Sequence, residues 1–284
     1  MTALADHIAA AFIAACLDEL HAPKPGNVHV FADGHSMTAD QFVRSAQAAA
    51  PLLVQAGARV GARILGAVHA TSNAVGTNTN LGIILLCAPL AAAAQQFGDL
   101  DACIARVLDD LDVEDANLAF QAIAAASPGG LGRAERHDVH APATVTLKQA
   151  MAAAADRDRI ASQYARAFED VLVIGEGTLA TLPPGEPEWA ALCVYLAFLA
   201  AFPDTHVRRK HGAATAEEVR QRAELFYDRA RSTGDRVAVQ KELLAWDRAL
   251  KSKNINPGTS ADLTVATLFL ARLRHILPSA RNNA

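Results

Sequence analysis

The sequence predicts an all-α protein, and three observations support that prediction. Of its 284 residues, 51% are hydrophobic and 20% are charged, which provides enough apolar surface for a substantial core. Alanine, the best helix former, makes up roughly a fifth of the chain, whereas aromatic residues, which favour strands, account for 5%. Long segments repeat apolar residues with the period of a helix. We therefore expect one compact multi-helix domain over residues 1–284, with a loop-lined site at one end.

The individual helices are predicted from apolar periodicity and from the residues that start and stop helices. Capping boxes start two of them, at Thr38 and at Thr215, each with Gln or Glu three residues later. The Pro/Gly-rich segment 23–26 ends the first helix, and at most a short hairpin is expected near residues 28–35. The predicted helices cover residues 3–20, 38–70 with a break near Gly57 or Gly61, 81–97, 99–110, 113–126, 146–181, 188–202, 215–232, 235–251 and 260–277.

Charge and composition exclude several classes of protein. With 26 basic and 30 acidic residues, the net charge of −4 gives no electrostatic reason for nonspecific binding to nucleic acid or anionic membranes. The longest apolar stretches, residues 81–94 and 190–202, fall short of the roughly 20 residues that a membrane span needs. No basic segment precedes the first apolar run, so no signal peptide is predicted and we expect a cytoplasmic protein.

The four cysteines are widely spaced within apolar helical segments and form no C-x-x-C pair. A buried, reduced role is therefore expected rather than a disulfide or a metal site. They are Cys16, Cys87, Cys103 and Cys193.

Polar, Gly- or Pro-containing segments interrupt the helical pattern at five places. Each concentrates side chains that a helical core does not need, and functional residues are commonly carried on such loops. We expect the five segments to converge at one end of the bundle and form a site. They cover residues 23–37, 71–82, 127–140, 204–212 and 252–262.

The first two segments carry candidate ligand-binding groups. In residues 23–29, Lys24 can contact phosphate, and Asn27 or His29 can hydrogen-bond a ligand. The alternative is a stiff helix-exit loop with a solvated lysine. In residues 76–82, the amides and hydroxyls of Asn78, Thr79 and Asn80 can bind a phosphate, a ribose or a base edge, although capping by Thr79 or Asn80 explains part of the pattern.

The segment nearest the C-terminus is a stronger candidate than the first two. Residues 254–263 place Gly258, Ser260 and Asp262 at a helix start, where free N–H groups and the helix dipole favour an anion. An acidic residue also suits a helix N-terminus for structural reasons alone. Residues 204–212 combine one carboxylate, two imidazoles and three cations, which suits an anionic, metal-associated substrate, or else a basic helix end capped by Gly212.

Taken together, these segments resemble the triphosphoribosyl-dephospho-coenzyme A synthase family. The resemblance covers most of the chain, and its C-terminal match is the most specific. The matching segments are 23–26 (P-K-P-G), 76–82 (G-T-N-T-N-L-G against G-x-N-T-x-x-G), 204–205 (D-T against D-T/S) and 256–263 (N-P-G-T-S-A-D-L against N-x-S-P-G-G-x-A-D-L).

The chain departs from well-known members of that family at two places. Asn80 and Leu81 stand where those members have His and Lys, and residues 129–135 read G-G-L-G-R-A-E where they have G-A-R-G-E-A-E. This variant resembles a divergent branch found in archaea and in bacteria with archaeal-type one-carbon cofactors. The acceptor is therefore open, and a pterin- or furan-type cofactor pathway is an alternative to dephospho-CoA.

The resemblance implies a helical transferase for which ATP is a substrate and Mg²⁺ a cofactor. An acceptor hydroxyl attacks C1′ of the ATP ribose, adenine leaves, and the triphosphate stays on the transferred sugar. The partners are small molecules rather than nucleic acid or membrane, and a homodimer is left open. On this basis we assign phosphate contacts to Lys24, Arg208 and Lys210, metal binding or base duty to Asp204 and Asp262, and proton transfer to His29 and His206. The remaining binding candidates are Asn27, Asn78, Thr79, Asn80, Asn256, Gly258 and Ser260.

Two other classes of protein remain as alternatives. An all-α metal-dependent phosphohydrolase would use the adjacent His137 and Asp138, with His69 and either Asp204 or Asp262 as further ligands. A noncatalytic helical scaffold would need a repeat or an unpartnered amphipathic face, and the sequence shows neither.

Overall fold

The computed structural model describes residues 3–129, 132–232 and 235–282. The described residues are mostly helical and include no strand, so the all-α prediction is confirmed. Two isolated β-bridges, His29 with Ala32 and Gly34 with Met37, lie where at most a short hairpin was expected. The helices are α1 (Ala3–His21), α2 (Ala39–Leu53), α3 (Val60–Val75), α4 (Leu81–Ala94), α5 (Leu100–Asp109), α6 (Val113–Ala126), α7 (Leu147–Ala152), α8 (Arg159–Ala165), α9 (Gly177–Leu179), α10 (Pro187–Ala201), α11 (Thr205–Ser232), α12 (Arg236–Ser252) and α13 (Gly258–Asn282), with a π-helical turn at Val171–Glu176.

One predicted helix, over residues 146–181, is wrong as a single element. The structure divides it into α7, α8, the π-helical turn and α9. Asp158 accepts hydrogen bonds from the N–H groups of Ile160 and Ala161 and so starts α8 anew. Ala167 and Phe168 then adopt left-handed φ angles of 50° and 63°, which a continuous helix does not allow.

Segment 204–212 is helical rather than a loop. α11 begins at Thr205, ten residues before the predicted start at Thr215, and Gly212 interrupts it with φ 87° and ψ 167°. The hydroxyl of Thr215 donates to the carbonyl of His211 instead of opening the helix. The predicted break at Gly57 is confirmed, because α2 ends at Leu53, α3 begins at Val60, and Gly57 has φ +71°.

The chain divides into two compact units. Unit 1 comprises Met1–Ala15, Gln41–Phe168 and Phe269–Ala284, and unit 2 comprises Cys16–Asp40 and Glu169–Leu268. Whether they act as the single domain expected over residues 1–284 stays a prediction.

Each unit is built around one helix that is apolar on nearly all sides. In unit 1 this helix is α4, which packs against α3 and α5, and Tyr164 donates a hydrogen bond from its hydroxyl to the carbonyl of Leu85 at 2.6 Å. In unit 2 it is α10, which packs against α11. The hydroxyl of Tyr195, in α10, donates to the carbonyl of Pro25 at 2.7 Å and fixes the Pro-Lys-Pro-Gly turn on the core.

All four cysteines are buried and outside any disulfide, as expected. Within the described ranges, no single helix has both the length and the hydropathy of a membrane span. α10 and α11 pass that test only as a pair, bent by 47°.

Candidate functional site

The Pro-Lys-Pro-Gly turn follows α1 in unit 2, and it buries its lysine completely. The Nζ atom of Lys24 donates to the carbonyls of Glu19 (2.7 Å) and Val28 (2.9 Å) and lies 3.0 Å from Glu19 Oε1. An ammonium group has three N–H donors, and these three acceptors use all of them. In this structure the lysine therefore pairs with Glu19 and holds the turn closed, and a phosphate contact by Lys24 stays a prediction.

Asp247, in α12, organises the same turn, and sequence reasoning missed it. Its Oδ1 atom accepts the N–H of Gly26 at 2.8 Å and lies 3.1 Å from the Nζ of Lys251. Burial acts to raise the pKa of Asp247, but His29, Lys251 and the Gly26 N–H outweigh it and the pKa is lowered. The available signal was its spacing: four residues after Leu243, it falls on the buried stripe of an amphipathic helix.

His29 is fully buried beside this carboxylate. Its Nε2 atom lies 3.4 Å from Asp247 Oδ1, and neither ring nitrogen has a hydrogen-bond partner among the described residues. Burial lowers the pKa of His29 despite the nearby carboxylate, so the ring is neutral at pH 7. A buried imidazole whose two ring nitrogens both lack a hydrogen-bond partner is unusual, and proton transfer by His29 stays a prediction.

The N-terminal and C-terminal family segments meet directly in unit 2. The side-chain amide of Asn27 donates to Asn256 Oδ1 at 2.8 Å, across 229 residues of sequence. Gly26 has φ +81°, and a Cβ placed on it would lie 2.9 Å from both the Ile255 carbonyl oxygen and Pro257 Cδ. Only glycine fits this turn, because any side chain would push residues 255–257 away.

Asp204 joins the start of α11 to the start of α13. Its Oδ1 accepts the N–H groups of His206 and Val207, and its Oδ2 accepts both the N–H and the hydroxyl of Ser260 at 2.8 Å. Burial raises the pKa of this fully buried carboxyl, and the four donors oppose that rise.

These contacts change the role expected for Asp204. A carboxylate has about four lone-pair positions, and all are occupied, so Asp204 does not fit the expected role of metal ligand. In the part of the chain that the structure describes, no three His, Cys, Asp or Glu side chains are grouped to hold a metal ion. The geometry favours a positioning role for Asp204.

The start of α13 is also less open to an anion than the sequence suggested. The N–H of Gly258 donates to the Asn256 carbonyl, that of Ser260 to Asp204, and that of Ala261 to the Pro257 carbonyl. Most donors that a phosphate would use are therefore already taken. Asp262, also in the first turn, is only partly buried.

Side chains around the first turns of α11 form a basic cluster, which we define as His35, His206, Arg209, Lys210 and His211. The pKa of His206 is lowered to about 3, mainly by burial and then by the other four members of the cluster. This ring is therefore neutral at pH 7. The positive charge of the cluster at pH 7 comes from Arg209 and from the exposed Lys210, and two neighbouring cations of this kind attract an anion.

Hydrogen bonds hold the cluster in place. His35 contacts the Gly26 carbonyl (2.7 Å) and Asn254 Oδ1 (2.9 Å), and His211 contacts the Asn254 carbonyl (3.0 Å). The ring of His206 packs so closely on Gly258 that a Cβ there would lie 2.4 Å from its Nδ1. Residues 26, 254 and 258 thus position the cluster, which gives a physical reason for one glycine in each of two family segments. Arg208, expected at phosphate, lies partly buried in the same helix.

The two other polar segments belong to unit 1. Asn78 caps α4 by accepting the N–H of Leu81 at 3.1 Å, and the hydroxyls of Thr79 and Ser45 share a hydrogen bond at 2.6 Å. Asn80 is buried. Capping is therefore present, through Asn78 rather than through Thr79 or Asn80, and a ribose or base contact by these three residues stays a prediction.

Asp138 also has a local role. It accepts the N–H groups of Ala134 and His140 and contacts the His140 ring, and these hydrogen bonds lower its pKa to about 2. Because the described residues contain no metal-binding group of three, the phosphohydrolase alternative finds no support.

Comparison with known proteins agrees with this arrangement. Residues 5–280 match the CitG family, ATP:dephospho-CoA triphosphoribosyl transferase. A crystal structure from Archaeoglobus fulgidus, provisionally described as a triphosphoribosyl-dephospho-CoA synthase, is 26% identical, with a TM-score of 0.63 over 80% of this chain and 96% of that one. No curated protein matches. The chain therefore belongs to the ATP:dephospho-CoA triphosphoribosyl transferase family and is an enzyme that uses ATP.

Proposed function

We propose that this enzyme transfers the 5-triphosphoribosyl group of ATP to a hydroxyl of dephospho-CoA and releases adenine. The observation that carries the proposal is the basic cluster, in which His206 packs on Gly258 of the family's own C-terminal segment and the charges of Lys210 and Arg209 act on the same histidine. A triphosphate is the most highly charged part of ATP, and a concentrated positive field is the feature that binds it.

The proposed reaction is a glycosyl transfer. The acceptor oxygen forms a bond to C1′ while the bond from C1′ to N9 breaks, and its electron pair leaves with adenine. The acceptor's proton passes to a base, and the departing adenine takes up a proton. The phosphorus–oxygen bonds of the triphosphate stay intact.

Lys210 and Arg209 are the proposed phosphate-binding residues, replacing Lys24. Lys210 is exposed at the cluster, whereas Lys24 has no donor left. Asp262 is the proposed base, because Asp204 is fully buried with all its acceptor positions filled within the fold, whereas Asp262 is partly exposed.

Magnesium usually binds nucleotide phosphates together with one or two protein carboxylates and several waters. Asp204 does not fit that role, and the described residues contain no grouped ligand set. Use of Mg²⁺ by the enzyme therefore stays a prediction, and we assign no step of the reaction to the ion.

Mass spectrometry after incubation with Mg²⁺-ATP and dephospho-CoA tests the proposal. We expect free adenine and a triphosphoribosyl adduct in equal amounts. ADP or AMP as the product would contradict glycosyl transfer. Adenine release only with a pterin- or furan-type acceptor would retain the reaction and overturn dephospho-CoA as its acceptor.

Kinetics of matched lysine variants test the phosphate site. Lys210→Ala removes a charge-assisted contact of about 1.5–3 kcal/mol, so the KM for ATP should rise by about tenfold or more. Lys148→Ala, which removes a surface lysine paired with Asp109 in unit 1, is the control and should leave KM unchanged. If the two variants had equal KM values for ATP, the basic cluster would not be part of the ATP site.

A further inference from the structure

Unit 2 contains a cavity of about 500 Å³ that the proposed chemistry has not used. It is lined by residues at the end of α1, in the turn after it, and at the starts of α10 and α12. Its volume falls within the range of small-molecule sites.

Two aromatic side chains line this cavity. Phe31 is 53% exposed, which is unusual for a phenylalanine, and Trp189 is half-buried. The guanidinium of Arg236 lies 4.9 Å from the centre of the Trp189 ring and forms an ion pair with Glu186. These contacts hold the Trp189 ring in place. Aromatic side chains that line a concave site favour a planar, π-stacking ligand.

The polar lining selects among planar ligands. Gln240 presents an amide whose donor and acceptor match the amino group and ring nitrogen on one edge of adenine. The carboxylate of Glu188 accepts hydrogen bonds from an amino group and repels phosphate. The cavity is therefore suited to a neutral amino-substituted base and not to the triphosphate.

The cavity and the basic cluster share one short segment of chain. Phe31 and His35 are four residues apart, so their Cα atoms are separated by at most about 14 Å, and the bridge between Gly34 and Met37 folds part of that segment. One nucleotide is long enough to place its base against Phe31 and its phosphates at His35.

We propose that this cavity binds the adenine base of ATP. The inference rests on the proposed function, since it takes the basic cluster as the triphosphate site. Dephospho-CoA also carries adenine. The short distance between the cavity and the basic cluster favours the adenine of ATP, because that base is attached to the triphosphate.

Tryptophan fluorescence tests this proposal directly, because the chain has only two tryptophans. Trp246→Phe replaces the one that stacks on Phe226 and leaves Trp189 as the sole reporter. Adenosine and ATP should change the Trp189 emission saturably, whereas inorganic tripolyphosphate should not. If dephospho-CoA alone changed the emission, the proposal would be overturned.

Variants then separate this inference from the proposed function, with affinities measured by calorimetry on the full chain so that the test does not depend on Trp246→Phe folding. Phe31→Ala should weaken adenosine and ATP at least tenfold, while Phe97→Ala, an 89% exposed phenylalanine of unit 1, should not. Lys210→Ala should weaken the binding of ATP and leave the binding of adenosine unchanged. If Phe31→Ala bound ATP normally and Lys210→Ala did not, the adenine site would be wrong and the phosphate site would stand; the reverse pattern would overturn the phosphate site.

Discussion

Buried charge in unit 2 is balanced residue by residue. Lys24 faces Glu19 and two carbonyls, Asp204 accepts four donors, and Asp247 faces Lys251 and the Gly26 N–H. Charges this deeply buried are tolerated only when they are paired and hydrogen-bonded. These residues therefore hold the loops in place, and the residues left to meet the substrate are the partly exposed ones.

Removing Lys24 should reduce stability more than it affects catalysis. Lys24→Met leaves Glu19 buried without its partner, which costs about 3–5 kcal/mol in the free energy of unfolding. The double variant Lys24→Met with Glu19→Gln should recover part of that loss. Denaturant unfolding measures both, and a single-variant loss below about 1 kcal/mol, typical of an exposed pair, would contradict the buried pairing.

His206 should make the protein less stable in mild acid. Its pKa is about 3 in the folded protein against an ordinary value of 6.5, so between these values the unfolded chain binds more protons. Stability is therefore lost as the pH falls from 6.5, by about 2 kcal/mol at pH 5 from this residue. His206→Asn cannot be protonated and should flatten the dependence of unfolding free energy on pH; an unchanged slope would show that the ring is already solvated.

Asp262→Asn should abolish turnover with little loss of stability. The substitution keeps the shape of the side chain and removes its charge, and the residue is only partly buried. Steady-state rates and thermal unfolding of the same preparation check the two halves of this prediction. A near-normal rate would assign Asp262 to helix capping.

At the scale of elements, the starts of α11 and α13 behave as one piece. Asp204 bonds to both, the hydroxyls of Thr205 and Thr259 lie 3.0 Å apart, and His206 packs on Gly258. A displacement of either helix start would therefore move the basic cluster.

Two glycine substitutions test that coupling. Gly258→Ala places a Cβ 2.4 Å from His206 Nδ1, and overpacking of this kind costs about 1–3 kcal/mol. Gly177 has a helical φ of −59°, and a Cβ placed on it would meet no neighbouring element within 4 Å. Gly177→Ala should therefore be neutral or stabilise the protein by up to about 1 kcal/mol. The free energy of unfolding and the affinity for ATP should both be lower for Gly258→Ala than for Gly177→Ala. Similar values for the two variants would mean that His206 moves aside without cost.

At the scale of the whole molecule, ligand binding is coupled to unfolding. Mg²⁺-ATP at a hundred times its Kd should stabilise the native state by about 2.7 kcal/mol, which for a chain of this length raises Tm by about 4 °C. Lys210→Ala should reduce this shift, and AMP should give a much smaller one. No shift with millimolar ATP, together with a shift from a pterin or furan metabolite, would show that ATP is not the donor.

The sequence by itself determined the all-α class, most helix positions, a helix break near Gly57 or Gly61, and the family. Local propensity, apolar period and glycine punctuation act over a few residues, so they can be interpreted without the fold. It did not predict the division of residues 146–181, where two non-glycine residues adopt left-handed φ angles because tertiary packing overrides helix propensity. Cytoplasmic localisation and a homodimer stay predictions.

Only the tertiary structure decided which polar residues are available to a substrate. Lys24 and Lys210 are both lysines in polar segments, yet one is fully buried against Glu19 and the other is exposed. Asp247 became visible as a candidate only because α12 brings it to Gly26, 221 residues away. Long-range pairing sets the charge and the accessibility of these side chains, and the spacing of residues along the chain does not encode which distant residues pair.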